Sequence, residues 1–374
     1  MSGRAGQRGV STRLLGIDVR LDPSWGILAA LIAALLALSV FPGMVEGARA
    51  PTLWAMAVVT VVGVGVSIVL HEMGHTLAAR AFGIEVRSIT LFLFGGVASL
   101  EKEAETPGQE FLIAIAGPIV SLVLAAVFGA VAAAGPLPMP VATVLSYLAL
   151  FNLVIAVFNM LPAFPLDGGR VLKAAIWRLR GDPAVATRAA ARMGEVLAFA
   201  LMGLGLLSLI GGAFGGLWWI AIGFYLFTIA RASRRDAQAG LMLKGMVAAD
   251  IMTEQPVTVD AEAPVAWFVD ELLARHPHDL VPVLAEGRVI GGAGIADAMR
   301  QPRSEWPRLA VGDIMRPLSD IPVARPDDDL LDSIRAMQRR GKSRMLVIGP
   351  EGIAGILTMK DVLAHLGFRQ RLGS

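Results

Sequence analysis

Val58–Arg80 reads VVTVVGVGVSIVLHEMGHTLAAR, an apolar run that carries His71, Glu72 and His75 within five positions. It belongs to a stretch from Thr52 to Ala79 that is long enough to cross about 30 Å of hydrocarbon as a helix. Ionisable groups at membrane depth are costly, so three of them together need mutual compensation or a function. Residues four apart share a helix face, so both imidazoles can reach one Zn2+, with Glu72 beside them as a base. With 5 His among 374 residues, a chance His-Glu-x-x-His is roughly a one-in-two-hundred event. The segment is read as a membrane helix carrying most of a metal site.

Five further stretches have comparable length and polarity: Trp25–Met44, Phe111–Ala134, Val141–Leu161, Val196–Gly212 and Leu217–Ala230. The composition agrees, with 55% hydrophobic and 17% charged residues and a mean hydropathy of +0.64. A soluble domain carries about 25% charged residues. Residues 1–240 hold 17 Lys+Arg and 13 Asp+Glu, leaving 16 and 18 for the much shorter remainder. An oily first part is therefore followed by an ordinary soluble second part, with the boundary near Met242. Basic residues crowd every second connection: Arg4 to Arg20, Arg80 to Lys102, Arg170 to Arg192, and Arg231 to Arg235. The positive-inside rule then places both termini in the cytoplasm of a cell-membrane protein, with residues 1–20 as a cytoplasmic leader. No cysteine is present, which excludes disulfides, a thiol nucleophile and a thiolate metal site. Nothing is basic enough to suggest nucleic acid.

Two stretches break the helical pattern. Gly83–Leu100, GIEVRSITLFLFGGVASL, reads as the strands of a hairpin, which must be buried against protein or line a wet cavity. The fourth span ends in Asn159-Met-Leu-Pro-Ala-Phe-Pro-Leu-Asp-Gly-Gly-Arg170, where Pro162 and Pro165 stop the helix. A catalytic zinc usually takes three protein ligands and a water, and Asp167 is the candidate third. Spans two and four both run from outside to inside, so their ends meet at one depth. Two neutral histidines, an Asp, Zn2+ and an ionised Glu72 sum to zero charge, which suits a low dielectric. The competing reading makes Asp167 an N-cap carboxylate before a helix over Val171–Leu179. Gly168 and Gly169 permit a tight turn after it. Asn152 and Asn159 share one face of the fourth span. Asn159 is read as a donor to a developing oxyanion and Asn152 as interhelical glue. Gly117-Pro-Ile-Val-Ser121 reads as a kink with close helix packing.

HEMGH, Phe94-Gly95-Gly96, GPIVS and NMLPAFPLDGGR in this order resemble the site-2 protease family of intramembrane zinc metalloproteases, over roughly Gly16–Arg235. The resemblance implies a zinc metalloendopeptidase that holds one Zn2+ through His71, His75 and Asp167 and uses Glu72 as catalytic base. It implies that Asn159 assists the transition state and that Gly95 and Gly96 hold an unwound transmembrane substrate as an added strand. Strand addition suits the chemistry, because a peptide must leave its helix before water can attack its carbonyl.

The tail contains an internal repeat: Ala249-Asp-Ile-Met252 recurs as Gly312-Asp-Ile-Met315. Each copy continues through a strand, an acidic turn, a helix, a strand pair and a final Asp-containing helix. This resembles a pair of cystathionine-β-synthase-type (CBS) domains over about 247–305 and 310–368. Such pairs commonly bind adenine nucleotides, here ATP, ADP or AMP, and the second copy matches the ribose-contacting residues with Thr358 and Asp361. The first copy offers Asp297 but has Gly294 in place of the hydroxyl, and the other reading is a purely structural module that pairs two chains into a homodimer.

The expected fold class is therefore an α-helical polytopic membrane protein, with six transmembrane helices and a small membrane-associated β-hairpin (residues 1–240), followed by a soluble α/β tandem CBS domain (residues 241–374). The expected function is cleavage of transmembrane protein substrates within the lipid bilayer, modulated by nucleotide. The rival is a CBS-regulated transporter or channel, which has no need of a helical HExxH with a distant Asp.

Overall fold

Asp22 caps the first long helix by accepting from the Ser24 amide at 2.9 Å. Helix α1 (Pro23–Leu35) then runs through a wider π-helical turn (Leu36–Val40) and a tighter 3-10 turn to Gly43. In the computed structural model, which describes residues 10–92, 95–100, 104–276 and 279–372, the chain divides into two compact units, Met1–Ala237 and Gln238–Ser374.

Among the described residues of the chain, six helices are long and apolar enough to cross a membrane: Pro23–Gly43, α2 (Ala50–Ala81), α3 (Pro107–Ala133), α4 (Met139–Asn159), α6 (Pro183–Ile210) and α7 (Gly216–Leu243). A shorter helix, α5 (Asp167–Arg180), separates the fourth from the fifth. The six expected stretches all fall on these helices. The last two are longer than expected, because apolar windows stop at charge while helical hydrogen bonding does not. Helix α6 includes Arg188 and Arg192, and α7 continues past Arg231, Arg234 and Arg235. There Arg234 Nε donates to Glu195 Oε1 at 2.8 Å and ties the two helices together.

Burial is inverted relative to a soluble bundle. Helix α2 exposes Val58, Val59, Val62 and Val66, whereas Thr60, Ser67, His71, His75 and Thr76 are buried. Apolar side chains outward and polar ones inward is what a hydrocarbon solvent selects. Asn152 acts as the expected glue: its Nδ2 donates to Ser67 Oγ at 3.0 Å and to the Leu148 carbonyl at 2.8 Å, joining α4 to α2.

The hairpin forms between β3 (Val86–Phe92) and β4 (Gly95–Leu100), with Leu91 opposite Gly96 and Phe92 opposite Gly95. Phe94, quoted above with this motif, lies outside the described residues. The stretch from Val10 carries structure that the sequence reading did not anticipate: β1 (Val10–Leu14) and β2 (Ile17–Leu21) form a second hairpin that docks parallel on β3, giving the order β1-β2-β3-β4. Alternation in Ile17, Val19 and Leu21 was the signal, and Leu15-Gly16 supplies the turn with both φ angles positive. Ile17 and Ile89 bury themselves with Met73, fixing this sheet to the helix that carries the histidines.

In the second unit the two copies exchange their leading strands. Following the first ADIM, β5 (Thr253–Glu254) joins the sheet of the second copy, where Gly355 faces Glu254. The first sheet comprises β6 (Val259–Asp260), β7 (Val281–Ala285), β8 (Arg288–Ala293) and β9 (Arg316–Pro317), the last contributed by the second copy. The second sheet is β10 (Val323–Ala324), β11 (Arg344–Gly349), β12 (Gly352–Thr358) and β5. Helices α8 (Val265–Trp267), α9 (Ile295–Ala298), α10 (Val311–Ile314), α11 (Leu330–Arg339) and α12 (Met359–Leu372) complete the unit. Its larger core gathers Leu243, Met246, Leu330, Met337, Met345, Val347 and Leu357.

Candidate metal centre

Helix α2 carries His71 and His75 on one buried face, one turn apart, as the spacing requires. Asp167 arrives from the start of α5. It is the first helical residue, with Leu166 at the N-cap, so the capping alternative does not describe it. Its carboxylate turns to the imidazoles instead: Oδ2 lies 3.2 Å from His71 Nε2 and 3.3 Å from His75 Nε2, and the two Nε2 atoms are 3.2 Å apart. Three donor atoms thus form a nearly equilateral triangle. A tetrahedral zinc with bonds of about 2.0–2.2 Å would space its ligand atoms roughly 3.3–3.6 Å apart, so the residues present fit the ion.

The far side of each imidazole is held by α3. His75 Nδ1 lies 2.7 Å from the Ile113 carbonyl, which can only accept, so Nδ1 carries the proton and Nε2 presents its lone pair inward. His71 Nδ1 lies 2.9 Å from Ser121 Oγ. Between them, Gly117 brings backbone against the ring tips: a Cβ there would lie 2.6 Å from His75 Cε1 and 2.7 Å from His71 Nε2. The GPIVS segment therefore lines the metal centre, a role beyond the kink and packing expected of it.

Glu72 is half buried beside the triangle. The backbone of β4 passes directly over it, since a Cβ on Gly96 would meet Glu72 Cγ at 2.7 Å and Ile68 Cγ2 at 3.2 Å. Among the described residues β4 pairs with β3 alone, and the face of the strand at Gly96 packs against the candidate base. Asn159 closes α4, eight positions before Asp167, and is half buried. Gly168 and Gly169 are needed for close approach rather than for a turn: Cβ atoms there would run into the backbone of Met160–Phe164.

In the second unit, Asp297 is buried, caps α9 by accepting from the Gly294 amide at 3.0 Å, and accepts from Arg316 Nε at 3.1 Å. Asp361 accepts from the Thr358 amide at 3.0 Å and the Thr358 hydroxyl at 2.7 Å. A cleft of about 260 Å³ opens on the Asp297 side, lined by Arg300, Arg316, Lys342 and Arg344 among others.

A bundle of membrane-length helices holding a buried His-His-Asp triangle beside a glutamate defines a membrane-embedded metallopeptidase. The chain belongs to peptidase family M50, the site-2 protease family: the M50 profile matches residues 59–138 and 133–202, and the CBS-domain profile matches residues 247–300 and 311–367. It is 31% identical to "Zinc metalloprotease MJ0392" of Methanocaldococcus jannaschii, over 80% of this chain and 82% of that one. It is 37% identical to Rip3 of Mycobacterium tuberculosis, over 94% and 90%, and 34% identical to sll0528 of Synechocystis sp., over 94% of each. Both of those names assign the proteins provisionally to the zinc metalloproteases. The chain is accordingly a zinc metalloprotease with a tandem CBS region.

Proposed function

We propose that the chain is an intramembrane endopeptidase that cleaves transmembrane segments of other proteins, with zinc held by His71, His75 and Asp167. The observation that carries this reading is the donor triangle of 3.2, 3.2 and 3.3 Å. Zinc bound there supplies Lewis acidity for a carbonyl and acidifies water. Glu72, half buried beside the triangle, takes the proton of the attacking water and passes it to the departing amine. Gly95 and Gly96 pair the unwound substrate along the free edge of β4, which brings a peptide carbonyl to Glu72. Asn159 donates to the developing oxyanion. Residues 1–240 lie in the cell membrane with both termini in the cytoplasm, an orientation that the basic connections support, and residues 241–374 form a cytoplasmic CBS pair. That pair binds an adenine nucleotide chiefly through Thr358 and Asp361 of the second copy, with Asp297 of the first contributing less, modulates cleavage, and joins two chains into a homodimer. Glu72→Gln tests the core of the reading: zinc stays bound while cleavage of a transmembrane peptide falls by about 10²–10⁴-fold. Turnover near that of the wild type would contradict it.

A further inference from the structure

Beside the metal centre lies a buried charged cluster for which the chemistry above has no use. Glu110, in the first turn of α3, is 3% exposed, too deep for an ordinary first-turn carboxylate. Its Oε1 accepts from Arg170 Nε at 2.9 Å, and its Oε2 is 3.8 Å from Lys173 Nζ. Both partners belong to α5, the helix whose first residue is Asp167. Arg170 is one turn beyond Asp167, so fixing its guanidinium fixes the backbone turn that aims the carboxylate.

The spacing along α3 makes the arrangement one device. Glu110, Ile113, Gly117 and Ser121 follow at intervals of three, four and four, which is a single helix face. That face receives His75 at Ile113, both ring tips at Gly117, His71 at Ser121, and α5 at Glu110. Three of these contacts orient the histidines. Glu110 is the one that reaches the side of the site supplied by a different helix.

We propose that Glu110 is a positioning residue for the third metal ligand, acting on Asp167 through Arg170 and, more weakly, Lys173. The inference rests on the metal-centre reading above. A buried carboxylate paired with two cations costs desolvation that a hydrophobic contact would avoid, so it serves geometry better than bulk stability. Outer partners of metal ligands typically change metal affinity by about 10–100-fold when removed.

The test is zinc affinity of the purified full-length chain, read by chelator competition, together with the rise in Tm that zinc produces. His71→Ala is the control for the underlying reading: if it holds zinc as tightly as the wild type, the metal centre is misassigned. With that control losing zinc, Glu110→Ala is expected to weaken zinc by about 10–100-fold and to shrink the zinc-induced rise in Tm. Glu110→Asp should fall between it and the wild type. Arg170→Lys, which keeps the charge but loses the Nε donor, guards against a Glu110→Ala chain that does not fold, and should weaken zinc in the same direction. Wild-type zinc affinity in Glu110→Ala, or in Arg170→Lys where the alanine variant is unfolded, would overturn the proposal. A variant whose metal-free Tm drops while zinc affinity is unchanged would assign the cluster to stability alone and overturn it equally.

Discussion

Gly117 and His75 are in contact across the α2–α3 interface so closely that a methyl group on Gly117 would lie 2.6 Å from the ring Cε1. The face of α3 that supports the imidazoles therefore has no room for any side chain at this point. Overpacking of this kind costs about 1–3 kcal/mol when the surroundings can shift. Here the atoms that would shift are those aimed at the metal. Gly117→Ala is expected to lower zinc occupancy and cleavage together while the helical content seen by circular dichroism is retained. Full zinc occupancy with normal cleavage would show that the rings tolerate displacement.

The edge of β4 gives a second expectation with a different signature. A side chain at Gly96 would press on Glu72 Cγ and Ile68, lifting the strand from α2. Gly96→Val leaves all three metal donors untouched, so zinc content should not change. Cleavage should fall by about 10²-fold, the scale expected when a substrate is held an ångström out of place. If Gly96→Val lost zinc instead, β4 would be supporting the metal site rather than a substrate.

Much of the candidate site is legible in the sequence. HEMGH required a helix and a shared face, and Asp167 followed from chain direction and charge. Other contributions were not readable, for a physical reason. Ser121, Ile113 and Glu110 act through helix-to-helix contacts, and helical spacing gives the face of α3 but not the neighbour that it meets. Ile113 contributes a backbone carbonyl, which no side-chain pattern reports. The N-terminal hairpin was missed because five-residue strands among arginines carry little apolar signal until β3 provides a partner. The ends of α6 and α7 were missed because hydropathy measures the solvent and not the helix.

The CBS pair gives a third expectation. Thr358 and Asp361 are already bonded to each other, so a ribose hydroxyl can enter an existing polar network at α12. Isothermal titration of the full-length chain with ATP, ADP and AMP should give saturable heat with at least one of them. Asp361→Ala should weaken that binding by roughly tenfold or more, the cost of leaving hydrogen-bonding partners unpaired. Asp297→Ala should matter less, because its copy has Gly294 where the second copy has a hydroxyl. Absence of heat with all three nucleotides would leave the pair as a dimerisation module.

Zinc stoichiometry of Asp167→Ala tests most directly whether Asp167 completes the metal site begun by α2. The wild type should contain about one zinc per chain, and the variant should lose most of it along with cleavage, because two imidazoles alone do not make a closed set of protein ligands. A variant that keeps a full equivalent of zinc by atomic absorption would place the third ligand elsewhere and contradict the triangle as the metal centre.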